Sequence, residues 1–176
     1  IPKINEGILS IDPICKGFAA DVEISGTTNL TDGDYSIIFN LFGSNTATAE
    51  QAALKVTNGV GNFSIRPSLI PIAGNTTLSI TKITNVATSC SNTSSLTKVF
   101  VIKALPDVTN FAVAIKDVCA NQPLLVSLSG LGTITTITLN YDLIGANVAS
   151  NQIVTIPVSS GKADFTIPFS YLSSIG

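Results

Sequence analysis

Three cysteines are the residues of this chain whose positions most directly suggest covalent chemistry. Cys15 precedes the second predicted strand, Cys90 follows the sixth, and Cys119 comes later in the stretch IKDVCANQPL. A bridge between the first two would tie the two sheets of a β-sandwich, or their ends, together. Closing a loop of that length would stabilise the fold by roughly 4 kcal/mol on a chain-entropy estimate. We therefore predict a disulfide between Cys15 and Cys90.

The densest group of carboxylates lies in the stretch TDGDY, which contains Asp32 and Asp34. Two carboxylates at this spacing could offer oxygen ligands to calcium. A glycine flanked by aspartates between two predicted strands is, however, more typical of a turn. The matching part of the later sequence reads TITTI and has no carboxylate, so a metal site would not be a general feature of the chain. We expect a turn here and no cofactor.

Composition argues against catalysis, nucleic-acid binding and membrane insertion. The chain has no histidine, methionine or tryptophan, so the commonest general base and metal ligand is absent, and Ser–His or Cys–His nucleophiles cannot be built. Charged residues make up only 11% of the chain and the net charge is -2, which does not suit a nucleic-acid surface. No apolar run approaches the roughly 18 residues that span a membrane. We expect a protein that is not an enzyme.

The sequence contains an internal repeat. IPKINEGILSIDPIC at 1–15 aligns with LPDVTNFAVAIKDVC at 105–119, at an offset of 104 residues. Two later stretches align in the same order at an offset of 102, which corresponds to a short loop deletion. The matches at the second offset are Phe39 with Tyr141, Leu41 with Leu143, Gly43 with Gly145, Asn45 with Asn147, Val56 with Val158, Gly59 with Gly161, Phe63 with Phe165, Ile65 with Ile167 and Gly74 with Gly176.

Each copy reads as a series of short strands separated by turn residues. Strands are predicted in the first copy at 6–11, 19–25, 34–42, 52–57, 61–66, 76–85 and 97–103. In the third strand, alternate residues share one face and should form the core: Tyr35, Ile37, Phe39 and Leu41, with Ile137, Leu139, Tyr141 and Leu143 as their counterparts. Seven strands in about 100 residues indicate an immunoglobulin-like sandwich. The fold class is therefore all-β, with tandem immunoglobulin-like β-sandwich domains.

The predicted domains are residues 1–104 and residues 105–176, and the second is incomplete. It reaches the counterpart of Gly74 without its sixth and seventh strands. The spacing from Gly74 to Cys90 places the partner of Cys119 about sixteen residues beyond the given sequence; the alternative is that Cys119 is a buried thiol with no partner. Missing strands would expose apolar faces and a sheet edge. Either more chain follows, or another chain supplies the strand.

Two apolar residues at matching places, Phe42 and Ile144, are predicted to face outward near the end of the third strand. They could cover a joint with a neighbouring domain or contact a partner. Capping the edge of their own domain is the favoured alternative. The short connection KALPDVTN at 103–110 contains a proline, as does the start of the first copy, which indicates a semi-rigid joint repeated along a longer rod.

The residues of the first copy carry a resemblance to a known family. A cysteine before the second strand, then ISG, LTDGDYSIIFNLFGSN, VTNGVGNFSI, AGNTTLSITKI and a second cysteine in TSC resemble the tandem immunoglobulin-like repeats of very large surface adhesins in gliding Bacteroidetes. The resemblance covers nearly the whole chain. The second copy departs from it in the TITTI loop and in its early end.

The resemblance implies a function as non-catalytic stalk repeats of a cell-surface adhesin that supports adhesion and gliding. It further implies type IX secretion and an extracellular location attached at the outer membrane. The implied partners are neighbouring repeats of the same chain and an adhesion target such as surface polysaccharide. Two alternatives remain: a carbohydrate-binding β-sandwich module, although exposed tryptophan is absent, and a fibre subunit completed by donor-strand exchange.

Overall fold

Strands dominate the structure because β-branched residues alternate with small hydroxylated ones along much of the chain. The computed structural model describes residues 1–26 and 29–174. The chain divides into two compact parts, unit 1 (Ile1–Leu105) and unit 2 (Pro106–Gly176). The sequence placed this boundary one residue earlier, between positions 104 and 105.

The described residues of unit 1 form eight strands and one short 3₁₀ turn. The strands are β1 (Ile8–Ile11), β2 (Ile14–Cys15), β3 (Ala20–Ser25), β4 (Gly33–Gly43), β5 (Ala47–Thr57), β6 (Val60–Ile65), β7 (Gly74–Asn85) and β8 (Ser91–Lys103), and the turn covers Pro67–Leu69. They pair in the order β1-β3-β6-β5-β4-β7-β8-β2.

The topology of unit 1 is that of an immunoglobulin-like sandwich. One side consists of β1, β3, β6 and β5, and the other consists of β4, β7, β8 and β2; β5 also pairs with β4 and so connects the two. The first edge strand is split, because β1 runs antiparallel to β3 whereas β2 runs parallel to the end of β8. This arrangement corresponds to the ABED and CFG sheets of the immunoglobulin fold.

All seven predicted strands of unit 1 are present, with three differences, two of which have a common cause. The two-residue strand β2 was not predicted, β5 begins at 47 rather than 52, and β8 begins at 91 rather than 97. The added segments, ATAEQ and SNTSSL, are poor in strand-forming apolar residues. They become strands because β4 and β7 offer open edges beside them, and pairing of this kind overrides local preference.

The core of unit 1 lies between its two sides. The prediction that alternate residues of β4 form the core is confirmed: Tyr35, Ile37, Phe39 and Leu41 are each at most 3% exposed. The ring of Phe39 contacts that of Phe63 on β6, with centroids 6.0 Å apart. The buried side chains of β7 and β8 complete this core; they are Leu78, Ile80, Ile83, Phe100 and Ile102.

The described residues of unit 2 form five strands that follow the path of β1, β3, β4, β5 and β6, and none of these residues forms a counterpart of β2. They are β9 (Ala112–Ile115), β10 (Leu124–Ser129), β11 (Thr136–Leu143), β12 (Ala149–Pro157) and β13 (Ala163–Ile167), followed by a 3₁₀ turn at Phe169–Tyr171. Strands pair in the order β13-β10-β9, while β11 and β12 form a hairpin.

The two units share a local hydrogen bond as well as the path of the chain. In unit 1 the Asn40 side chain accepts a hydrogen bond from the Ala49 N–H, and in unit 2 the Asp142 side chain accepts one from the Asn151 N–H, at 2.8 and 2.7 Å. Ala49 and Asn151 both adopt positive φ, at 56° and 55°. An L-residue rarely takes this conformation without support, so the shared bond explains how both bulges are held. The internal repeat is therefore present in the structure.

Candidate functional site

The structure does not bring Cys15 and Cys90 together. Cys15 ends β2 beside Lys103, the last residue of β8, whereas Cys90 immediately precedes Ser91, the first residue of that strand. The 13 residues of β8 therefore separate them, a span of about 40 Å. A disulfide needs Cα atoms within roughly 7 Å of each other. Both thiols are free and exposed, and the predicted disulfide is wrong.

Cys119 is also a free, exposed thiol, in the loop between β9 and β10. The turn around it matches that around Cys15: the carbonyl of Cys119 accepts the Gln122 N–H at 3.1 Å, and that of Cys15 accepts the Phe18 N–H at 3.2 Å. The alternative of a buried thiol is therefore wrong. The predicted partner beyond the sequence relied on a Cys15–Cys90 bridge as its template, so its spacing no longer follows.

Asp32 lies in the turn before β4, and Asp34 is the second residue of that strand. The Asp32 carboxylate accepts the Gly59 N–H at 3.4 Å, and the Asp34 carbonyl accepts the Val86 N–H at 3.0 Å. Calcium takes six to eight oxygen ligands. Within residues 1–26 and 29–174, no group of three or more His, Cys, Asp or Glu side chains converges. The Asp32 side chain therefore has a structural role, whereas Asp34 contributes through its backbone.

Phe42 and Ile144 both face outward, as predicted. Phe42 is 51% exposed and Ile144 is 92% exposed. Phe42 is paired with Thr77 of β7, which in turn is paired with the exposed Val99 of β8. Neither side chain is buried within its own unit, so the alternative in which they cap an edge is not supported. Their role as a contact surface stays a prediction.

A polar hollow of about 310 Å³ lies at the end of unit 1 where the chain begins. Its side chains hold the N-terminal segment against β8: Asn92 donates to the Pro2 carbonyl at 3.1 Å, and Asn5 accepts the Ser95 N–H at 3.3 Å. None of the described residues that line it is aromatic: they are Lys3, Asn5, Glu6, Gly7, Gly26, Asn29 and Asn92. The hollow lacks the flat apolar platform on which a sugar ring stacks and gives the carbohydrate-binding alternative no support.

Unit 2 contains an apolar groove between its two groups of strands, hereafter the unit 2 groove. It has a volume of about 290 Å³ and adjoins a hollow of about 510 Å³ at Ile115. The groove is lined by Phe111, Val113, Ile115, Val126, Leu128, Leu139, Asn140, Tyr141, Asp142, Leu143, Phe165 and Ile167. The rings of Tyr141 and Phe165 lie 5.3 Å apart, matching the Phe39–Phe63 pair of unit 1.

The electrostatics of the groove are simple. Partial burial raises the pKa of the Tyr141 hydroxyl above its usual value of 10.0, and the nearby Tyr171 adds to the shift because two phenolates would repel each other. Tyr141 is therefore neutral at physiological pH, and its ring contributes to a wall that is mostly apolar, with Asn140 and Asp142 as its polar members.

An asparagine bridge in each unit was not predicted from the sequence. Asn45 donates to the Ile72 carbonyl at 2.8 Å and accepts the Ile72 N–H at 2.9 Å; Asn147 makes the same two bonds to Ser174, each at 2.9 Å. The signal was available, since Asn45 and Asn147 are a matched pair of the internal repeat. Equal spacing alone could not indicate that a side-chain amide pairs with a backbone 27 residues away.

Comparison with known proteins finds no family model that matches the chain and no curated protein that matches it. A similar solved structure is a chimeric titin Z1Z2 functionalized with an exogenous KLER peptide from decorin. It shares 14% sequence identity at a TM-score of 0.31, with 94% of this chain and 83% of that chain covered. A likeness at this level carries no functional argument. Among the described residues, no helix is long and apolar enough to cross a membrane.

Proposed function

We propose that the two units are non-catalytic structural repeats in the stalk of a large cell-surface adhesin. In this role they hold a binding region away from the cell and support adhesion and gliding motility. The adhesin is secreted by a type IX system and attached at the outer membrane. Its partners are neighbouring repeats of the same chain and an adhesion target such as surface polysaccharide.

One observation carries this proposal: in unit 1 the chain begins and leaves at opposite ends of the sandwich. The N-terminal segment is fastened to the start of β8, through the bonds of Asn92 to Pro2 and of Ser95 to Asn5. The chain then leaves unit 1 after Lys103, at the other end of the same strand. In unit 1 these two points are therefore separated by the length of β8, about 40 Å, as a spacer requires.

The strands near the two chain ends are also arranged to resist tension. β2 lies parallel to the end of β8, and the Lys16 N–H donates to the Lys103 carbonyl at 2.8 Å. A pull along β8 would load these hydrogen bonds and those between β1 and β3 along the strand direction. Hydrogen bonds that are loaded along the strands must break together, whereas hydrogen bonds that are loaded across the strands break one at a time from the edge. This geometry supports a load-bearing role.

Two further observations support a non-catalytic role. The chain has no histidine, which removes the commonest general base. Among the described residues, acidic and cysteine side chains do not gather in groups of three.

The experiment that tests the proposal is a measurement of the size and location of the native polypeptide. An antibody raised against the 176-residue chain would be used on denaturing gels of whole cells, and on intact cells with and without surface proteolysis. A stalk repeat should appear as a protease-sensitive surface species of hundreds of kilodaltons. A protected intracellular band near 18.2 kDa would contradict the proposal.

A further inference from the structure

The edge of β12 that faces away from β11 has no strand beside it among the described residues of unit 2. Most of the matching edge of β5 is open as well within the described part of unit 1, where β6 pairs only with the last three residues of β5. β7 pairs with the other side of β4 and does not cover this edge. An open edge at this place is therefore common to both units.

The backbone groups of two residues point out from the edge of β12. The Val158 N–H donates to the Thr135 carbonyl at 2.8 Å, which makes these residues a hydrogen-bonded pair of the β11–β12 ladder. Such pairs alternate along an antiparallel ladder. The register therefore turns the backbone groups of every second residue of β12 toward β11 and those of Ile153 and Thr155 away from it. The two residues offer a short row of donors and acceptors to a further strand.

Unit 1 protects the matching edge with charge. The Arg66 guanidinium, which follows β6, donates to the Glu50 carboxylate of β5 at 2.6 Å. This ion pair joins the two strands where their backbones no longer pair. Lys55 adds a second charge to β5. Charged side chains on an edge strand oppose the addition of another strand, because pairing would take their charges out of water.

Unit 2 has none of these charges. At the repeat offset, the counterparts of the three charged residues are Gln152, Pro157 and Pro168. The neighbouring Gln51 of unit 1 is replaced by Ile153, which is 71% exposed. A large apolar side chain in the middle of an open edge is unusual, since natural proteins place charge there to prevent pairing.

The composition of β12 favours pairing with another strand. The strand reads ASNQIVTIP and has no charged residue, and its IVTI stretch is entirely β-branched. Short uncharged segments with a high preference for strand structure readily add to other strands. Pro157 ends the segment at a position where its missing N–H faces the open edge, which is where an edge strand tolerates proline.

We propose that β12 pairs with β12 of a second copy of this chain, antiparallel across a two-fold axis at Val154. In this register Ile153 of each copy lies opposite Thr155 of the other, so the outward N–H and C=O groups of both residues find partners. The two Ile153 side chains lie diagonally across the joint on the outer face, within reach of each other.

The edge fits a second copy because it is complementary to itself. It carries no charge that would repel an identical strand, and the two residues with outward backbone groups exchange places under the two-fold axis. A contact of this kind uses the edge once in each chain, so the assembly closes as a dimer. The inference does not depend on the adhesin proposal.

Sedimentation velocity of the 176-residue chain tests the contact. We expect a concentration-dependent dimer at up to about 1 mM, the range of small edge interfaces. Ile153→Lys should weaken association by at least about tenfold, because it removes an apolar contact and brings like charges together. Gln51→Lys is the matched control, since it adds the same charge at the equivalent exposed position of β5 and should leave association unchanged.

A pair of opposite charges separates loss of contact from loss of folding. Ile153→Lys and Ile153→Glu should each be monomeric alone at concentrations where the parent chain dimerises. Their equimolar mixture should form a mixed dimer, because unlike charges then lie across the joint. A variant that merely failed to fold would not be restored by mixing.

Amide exchange followed by NMR reports the backbone pairing. In the dimer, the amides of Ile153 and Thr155 should be protected, and on dilution they should exchange at least about tenfold faster. The amides of Val154 and Ile156 bond to β11 in both states, so their exchange should not change. This alternating pattern is specific to a strand added at the open edge.

Four outcomes would overturn the proposal. The first is a parent chain that stays monomeric at about 1 mM. The second is association that persists in Ile153→Lys or weakens equally in Gln51→Lys, which would place the contact elsewhere. The third is the absence of a mixed dimer from the two charged variants. The fourth is protection of the Ile153 amide that does not depend on concentration, which would mean that the edge is covered within one chain.

Discussion

Leu41 and Leu143 are the same residue at the same position of two copies of one fold, yet only the first is buried. Leu41 is 1% exposed beneath β7, whereas Leu143 is half-buried at the wall of the unit 2 groove. Their own strands are equivalent, and so are the hairpin partners β5 and β12. The difference comes entirely from the neighbouring strands. Burial is thus a property of the assembled neighbourhood and not of the residue or its strand.

The largest expected effect comes from truncating this matched leucine pair. Leu41→Ala should destabilise unit 1 by about 2–5 kcal/mol, because it leaves a cavity in a closed core. Leu143→Ala should cost unit 2 about 1 kcal/mol, because the side chain already contacts solvent and its loss leaves an open dent. Urea unfolding, followed unit by unit through amide exchange, measures both values.

Equal costs for the two leucine variants would show that the groove is closed in solution.

A smaller difference is expected from the two asparagine bridges. Asn45→Ala leaves the Ile72 backbone groups and the buried Thr76 hydroxyl without their partner, which should cost about 1–3 kcal/mol. Asn147→Ala exposes the corresponding backbone groups of Ser174 to water, so we expect a loss below about 1 kcal/mol. Thermal unfolding of the two variants, compared with the parent chain, distinguishes these values. A larger loss of stability for Asn147→Ala than for Asn45→Ala would contradict this expectation.

The smallest expected effect concerns pH. Tyr141 has a raised pKa in the folded chain, caused first by burial and then by Tyr171, so the folded state retains its proton at a pH where the unfolded state loses it. The resulting stability is present below pH 10 and is lost as pH rises through the folded pKa. Tyr141→Phe should therefore reduce the fall in the urea midpoint of unit 2 between pH 9 and pH 11.

The control for the tyrosine experiment is the matched position in unit 1. Phe39 is already a phenylalanine, so unit 1 should show no contribution from this position over the same pH range. An identical pH dependence of unit 2 before and after Tyr141→Phe would contradict the raised pKa.

Much of the fold could be predicted because its signals are local. The alternation of Tyr35, Ile37, Phe39 and Leu41 has the two-residue period of a strand with one buried face. The added lengths of β5 and β8 could not be predicted, since ATAEQ and SNTSSL have no such period. They pair because neighbouring strands extend beside them. The asparagine bridges could likewise not be predicted, although the internal repeat already matched Asn45 with Asn147.

The sequence by itself determined an all-β chain built from two copies of one strand pattern. The period of the side chains, the turn residues and the offset of the repeat all follow directly from the order of the residues. Only the tertiary structure decided which ends of those strands lie together. The sequence positions of Cys15 and Cys90 are compatible with a disulfide, but β8 places the two residues about 40 Å apart. Likewise, matching apolar residues are buried in β4 and uncovered in β11. Proximity and burial depend on which strands pair, and pairing joins residues that are distant in sequence.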